Sequence, residues 1–358
     1  MAEKKKLVGV QYLRGIAALM VAYFHLRTQI PAFTADLSFD RVLNSDHLST
    51  GVYVFFVISG FIMYVTGRNL SASDFVRRRL VRILPLYWSL TLAVCAVAIL
   101  APHLVHRTDV TAEYVAKSML FVPYSNPSQD QLLYPVLVPG WSLNYEMGFY
   151  ALFAAALLAP RQWRTWIITG ALGICALAGV IHSRSEVLNV WGFYTSSRLL
   201  LFAAGIGLGV AYTRLRLSRW VCAGLVLAGF WMILGDGLTG KALRLEEFLG
   251  SVAIVAGLAV WEHQYGLPTI RALLLLGDAS YSLYLVHIFV FGITRTIWRH
   301  LHVHGAAAFA TFSMLAAVGA ALMTYTLIEV PSIALLKGRL WSGVKRPEIV
   351  APNPAAVK

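Results

Sequence analysis

Charge is scarce in this sequence. Asp, Glu, Lys and Arg together make up 13% of its 358 residues, about half of what soluble globular chains carry. The acidic sign is the scarcer, with 17 Asp and Glu against 30 Lys and Arg. Cysteine is nearly absent: Cys95, Cys175 and Cys222 stand far apart, each inside an apolar run, which excludes a disulfide framework and a thiolate metal site. No internal repeat is visible, so the inverted-repeat signature of many secondary transporters is missing. What fills the chain is apolar: 58% of residues are hydrophobic and the mean hydropathy is +0.67. This is the composition of an integral membrane protein, an all-α polytopic helix bundle in a lipid bilayer. The net charge of +13 does not point to nucleic acid, because the basic residues sit between apolar runs and form no single patch.

Ten apolar runs approach the length needed to span a bilayer: 8–27, 51–67, 83–101, 142–159, 165–182, 198–213, 218–235, 247–264, 279–298 and 305–328. Ten spans of ~20 residues would use about 200 residues, leaving no room for a large soluble domain. Lys4, Lys5 and Lys6 before Leu7–Leu26 resemble a secretory signal. Arg14 interrupts that run and no small-x-small cleavage site follows, so a retained first span is expected. Lys and Arg are about twice as frequent on the side of the N-terminus as on the other side, which predicts cytoplasmic N- and C-termini. Residues 1–335 then form one transmembrane domain and 336–358 a short basic cytoplasmic tail. The longest non-apolar stretch, 102–140, falls on the outer face. Its prolines, Pro123, Pro127, Pro135 and Pro139, oppose a long helix there, and it is a candidate lid or acceptor platform.

Ionisable residues inside spans are costly and normally face the bundle interior. The first span carries two, Arg14 and His25. Eleven positions at 100° each come to about 20° beyond three turns, so both project from one face, ~16 Å apart along the axis. Snorkelling of Arg14 and interfacial placement of His25 is the alternative. Glu146, in Trp141-Ser142-Leu143-Asn144-Tyr145-Glu146, enters the fourth span from the outer side, and Glu329 closes the last span before Pro331. The expected arrangement is an outer His25–Glu146 layer, in which the carboxylate makes the imidazole a better base, and an inner Arg14–Glu329 layer. Alternatively each acid merely caps a helix end.

After the second span comes Arg77-Arg78-Arg79-Leu80-Val81-Arg82. Such a run serves anionic lipid and topology, but guanidinium is also the preferred partner of phosphate oxygens, and a cytoplasmic coenzyme A thioester carries several. Arg78, Arg79 and Arg82 are the candidates for that contact. In the ninth span Ser280, Tyr284 and His287 lie at i, i+4, i+7, one polar face suited to interhelical hydrogen bonds or to substrate. His300, His302 and His304 have no acidic or thiol partner nearby in sequence, so an interfacial loop is expected and no metal.

The motifs form an ordered set: Arg14-x10-His25, GVYVFFVISGF (51–61), RRRLVRILPLYW (77–88), GWSLNYEMGFY (140–150), LGDASYSLYLVH (276–287) and LIEVP (327–331). Together they resemble the membrane-bound acyltransferase-3 family, and most closely its exopolysaccharide-modifying branch. The resemblance implies a ten-helix bacterial inner-membrane enzyme. Such an enzyme moves an acyl group, usually acetyl, from cytoplasmic acyl-coenzyme A to a carbohydrate hydroxyl at the outer face, without a metal and in some cases beside polysaccharide assembly proteins. It implies roles for His25 and Arg14, for the paired Arg79 and Arg82, for Glu329, and for Trp141, Ser142 and Glu146 of the aromatic–Ser–Leu–x–x–Glu motif. Tyr284 and His287 remain candidates for substrate contact. Many members place an aspartate two residues before the paired phenylalanines of the second span; here that residue is Tyr53, with Asp46 the nearest substitute. Succinyl transfer, a small-molecule acceptor, or transport of polysaccharide precursors are the alternatives.

Overall fold

The computed structural model describes residues 7–27, 45–101, 110–125, 132–182, 188–234, 245–301 and 305–341. Among them there are helices and no strands, as expected where every backbone polar group must be satisfied within its own segment. The lysines at 4–6, His302, His304 and the distal tail lie outside the described residues, as does the side chain of Asp46.

Helix α1 (Val8–Arg27) is central, packing against five other helices and a 3-10 turn. A 3-10 turn (Ser45–Thr50) leads into α2 (Gly51–Ile62), which continues through a π turn, Met63–Gly67. Helix α3 (Ala72–Leu100) starts at Ser71, whose hydroxyl accepts from Asp74 N at 3.1 Å, with Asp74 favourably placed in the first turn. The short α4 (Ala112–Met119) is capped by Thr111 and followed by α5 (Trp141–Leu157), α6 (Arg161–His182) and α7 (Val190–Tyr194). Next come α8 (Leu199–Ala211), α9 (Arg219–Leu234) and α10 (Leu245–Tyr265). Helices α11 (Arg271–Asp278) and α12 (Ser280–His300) meet at a 71° bend. Helix α13 (Ala306–Thr324) runs through a π turn, Tyr325–Glu329, into α14 (Val330–Trp341).

Each of the ten expected intervals is occupied by helix. Among the described residues, five helices are long and apolar enough to cross a membrane, or six if the bent pair α11–α12 is one span. Their outward faces carry exposed apolar side chains such as Leu100, Trp166, Ile174, Val180 and Leu315, a surface that a bilayer covers and water would not. The last helix among the described residues, α14, runs on to Trp341.

Close approach of the backbones holds the bundle together. A Cβ on Gly60 would collide with the α8 backbone at Phe202, and one on Gly205 with the α2 backbone at Val57; small residues at such crossings allow dense packing without a hydrophobic driving force. The first turn of α1 is held from another helix: Val8 N and Gly9 N donate to Glu262 Oε1 and Oε2 at 2.7 and 2.8 Å, satisfying two donors that a helix start leaves open. Glu262→Ala is expected to cost about 1–2 kcal/mol and lower the thermal midpoint by several degrees; an unchanged midpoint in a melting experiment would contradict this role.

Of the stretch expected as a lid, residues 110–125 and 132–140 are described, and they pack onto the bundle. Tyr87 OH donates to Ser118 O at 3.1 Å, Val136 N to Ser118 Oγ at 3.0 Å, and Tyr114 OH to Tyr134 O at 2.8 Å. Leu133, Val136, Leu137 and Pro139 are buried, so α5 begins inside the bundle rather than at its surface.

Candidate active site

The polar stripe of α1 faces other helices, as its 11-residue spacing requires. Arg14 lines a cavity of about 200 Å³, together with Ser59 of α2, Arg79 and Arg82 of α3, Ser142, Glu146 and Tyr150 of α5, and Tyr281 and Tyr284 of α12. Because Ser71 starts the helix early, the arginine run is helical rather than a loop. Arg79 and Arg82, three residues apart, share the inward face. Arg77 and Arg78 are exposed, and Arg78 is absent from the cavity lining. This corrects its expected place beside Arg79 and Arg82: it lies 100° around the helix from Arg79, on the far side of Arg82, and so turns away from the cavity.

Two carboxylates balance part of the charge. Glu329, only 1% exposed, pairs with Arg82 and accepts from Ser282 Oγ at 2.6 Å. It lies in the π turn, a local widening that re-aims side chains and recurs at functional sites. The Arg82 guanidinium also lies 5.7 Å from the Tyr281 ring centre. Glu146 accepts from Ser59 Oγ at 2.7 Å and from Tyr150 OH. Both are neutral donors, so they leave its charge uncompensated by direct pairing.

The other two arginines have no carboxylate partner among the described residues. Arg14 Nη1 donates to Gln11 Oε1 at 3.3 Å. Arg79 stands 5.6 and 5.8 Å from the ring centres of Phe75 and Tyr150, and its buried Nε has no hydrogen-bond partner. Buried donors left unmatched are costly, and a bound anion relieves that cost. Planar guanidinium forks suit phosphate oxygens, so the cavity has the chemistry of an anion site.

A hydroxyl pair is part of the cavity lining. Tyr284 OH donates to Pro139 O at 2.9 Å and lies 2.7 Å from Ser142 Oγ, which is itself 3.3 Å from Pro139 O. Phe55 packs edge-on against Tyr284 at 5.9 Å. Behind this pair sit His287, fully buried, and His25, with His287 Nε2 3.1 Å from His25 Nδ1. Neither histidine lines the cavity.

The expected two-layer scheme is therefore rearranged. His25 meets His287 rather than Glu146. The buried approach through 132–140 starts α5 below the surface, and five further residues carry Glu146 ~7.5 Å along the axis, to the cavity it shares with Arg79. Glu329 takes Arg82 rather than Arg14. Trp141 does not line the cavity; with Tyr53 it flanks Arg198, whose guanidinium carbon lies 5.7 Å from the Trp141 ring and 6.0 Å from the Tyr53 ring. Tyr53, standing where the resemblance led us to expect an aspartate, thus faces a cation through its ring. Sequence reasoning missed Ser59, Tyr150, Tyr281, Ser282 and Arg198. Two carried a signal: Tyr150 is i+4 from Glu146, and Ser282 belongs to the same polar run as Ser280. Among the described residues no group of three His, Cys, Asp or Glu could hold a metal ion.

A membrane-embedded helical bundle with half-buried arginines facing a cavity and a histidine pair behind it agrees with what sequence comparison finds. The acyltransferase domain of the acyltransferase-3 family matches residues 7–326, and the chain belongs to that family as a multi-pass membrane protein. It is 34% identical over 304 residues to the exopolysaccharide production protein ExoZ of Rhizobium meliloti (strain 1021), covering 81% of this chain and 90% of that protein. It is 24% identical over 327 residues to the O-acetyltransferase OatA of Staphylococcus aureus, covering 80% of this chain. The match spans about half of OatA, 51% of its length. No solved structure matches the chain.

Proposed function

We propose that the protein is an O-acyltransferase of the bacterial cytoplasmic membrane, with ten spans and both termini inside. It takes an acyl group, in the simplest case acetyl, from cytoplasmic acyl-coenzyme A and gives it to a hydroxyl of an exopolysaccharide or other envelope carbohydrate at the outer face. The observation that carries this reading is the pair of half-buried guanidiniums, Arg14 and Arg79, that face one cavity without a carboxylate partner among the described residues. The names of the two relatives, one tied to exopolysaccharide production and one an O-acetyltransferase, supply the reaction class and the kind of acceptor.

On this reading Arg14, Arg79 and Arg82 hold the phosphates of the donor, and its thioester arm points past Ser142 and Tyr284 toward His25. His25 acts there as the base on the acceptor hydroxyl or as the transient carrier of the acyl group. Displacement of the Tyr284 hydroxyl from Pro139 O opens the way between cavity and histidine. Carbohydrate assembly proteins are natural neighbours at the outer face.

Arg79→Ala should raise the KM for acetyl-coenzyme A about tenfold or more, the equivalent of ~1.4 kcal/mol or more, with normal protein levels. Arg79→Lys should recover only part of this, because a point charge does not reproduce the fork. Transfer kinetics in membranes with labelled donor check both. An unchanged donor KM in Arg79→Ala would overturn the assignment of the cavity to the donor.

A further inference from the structure

Resting on the acyltransferase reading, we infer that His287 is a positioning residue that fixes the tautomer of His25, making Nε2 its reactive nitrogen. The hydrogen-bond geometry of the two rings allows one assignment. The Leu283 carbonyl, which can only accept, lies 3.0 Å from His287 Nδ1, so that nitrogen carries the hydrogen and the neutral ring presents its lone pair on Nε2. This lone pair faces His25 Nδ1 at 3.1 Å. Val21 O, a second group that only accepts, lies 3.0 Å from the same Nδ1. A lone pair on His25 Nδ1 would oppose two others, whereas a hydrogen there is shared by both acceptors. In the neutral ring the basic nitrogen is then Nε2.

The contact with the carbonyl four residues back is not special in itself. His182 Nδ1 to Ala178 O at 2.9 Å and His300 Nδ1 to Thr296 O at 2.8 Å show the same habit. His25 Nδ1 has in addition an acceptor delivered from α12. His287 is fully buried and walled by Phe291, with ring centres 5.7 Å apart, so its lone pair is held in place. In direct transfer the acceptor O–H bond breaks, its hydrogen goes to His25 Nε2, and the oxygen bonds the acyl carbon. The C–S bond breaks, and the departing thiolate takes the proton back from Nε2. While His25 is positively charged its Nδ1–H is a stronger donor, and the bond to His287 strengthens. In this way His287 serves the reaction without touching substrate.

The test compares His287→Leu with His287→Gln, since the Gln amide oxygen reaches the place of Nε2 and can accept from His25. A wrong histidine tautomer costs about 10⁴-fold where the orienting group is a carboxylate. For a neutral acceptor His287→Leu is expected to lose about 10²-fold in kcat, with the donor KM unchanged and normal protein levels. His287→Gln should regain at least about tenfold of this. Equal activity of the two variants, high or low, would overturn the inference. Independently of activity, 15N spectra of histidine-labelled protein, with the His25 signal identified by its loss in His25→Gln, are expected to show Nδ1 protonated. Protonated Nε2 in the neutral ring would overturn the inference. A wild-type protein with protonated Nδ1 that transfers no acyl group would leave the positioning role standing and sink the acyltransferase reading instead.

Discussion

His25→Ala is expected to lower acyl transfer by about 10³-fold or more while leaving the protein in the membrane at normal levels. Loss of a general base typically costs 10²–10⁴-fold, and loss of a transient acyl carrier removes the path altogether. The fold should survive. Alanine is the best helix former, and α1 keeps its crossings through Gly51 and Gly277, neither of which touches residue 25. The remaining cost is an unmatched Nε2 on His287, about 1–3 kcal/mol. Label transfer from acetyl-coenzyme A, normalised to protein in the membrane, checks this, and activity within a few-fold of the natural protein would exclude both roles for His25.

The second large effect concerns Arg82 and Glu329. Removing Arg82 alone leaves a carboxylate of 1% exposure with Ser282 as its remaining hydrogen-bond partner among the described residues, and breaking such a pair typically costs 3–5 kcal/mol. Arg82→Met should therefore accumulate poorly. The double change Arg82→Met with Glu329→Met replaces the pair by apolar groups of similar volume, which is often neutral for stability. It should restore protein level and melting temperature but not transfer, because the cavity-facing guanidinium proposed to hold the donor is gone. Recovery of both would show that the pair serves folding alone.

What was legible before the structure follows physical lines. The common face of Arg14 and His25 was readable because α1 is one unbroken helix, so 100° per residue holds over all eleven positions. The choice of Arg79 and Arg82 came from family resemblance. Helix phase explains it, since α3 begins at Ala72 and turns Arg77 and Arg78 outward. The depth of Glu146 was not legible. It depends on how far the segment 132–140 sinks between helices, and a short run containing Pro135 and Pro139 has no periodicity from which to read that. Arg82 with Glu329 and His25 with His287 join residues more than 240 positions apart in the sequence. Local pattern supplied the polar face Ser280, Tyr284, His287 but not what it meets. The π turn that aims Glu329 is equally invisible to a 3.6-residue period.

The most direct measurement of the central claim uses the purified protein in sealed vesicles, with labelled acetyl-coenzyme A enclosed on one side and an acidic or neutral exopolysaccharide fragment supplied on the other. The account expects ester-linked label on carbohydrate hydroxyls across the bilayer, lost in His25→Ala and shifted to higher donor concentration in Arg79→Ala. No donor consumption by the folded natural protein, or carbohydrate labelling that persists undiminished in His25→Ala, would contradict it.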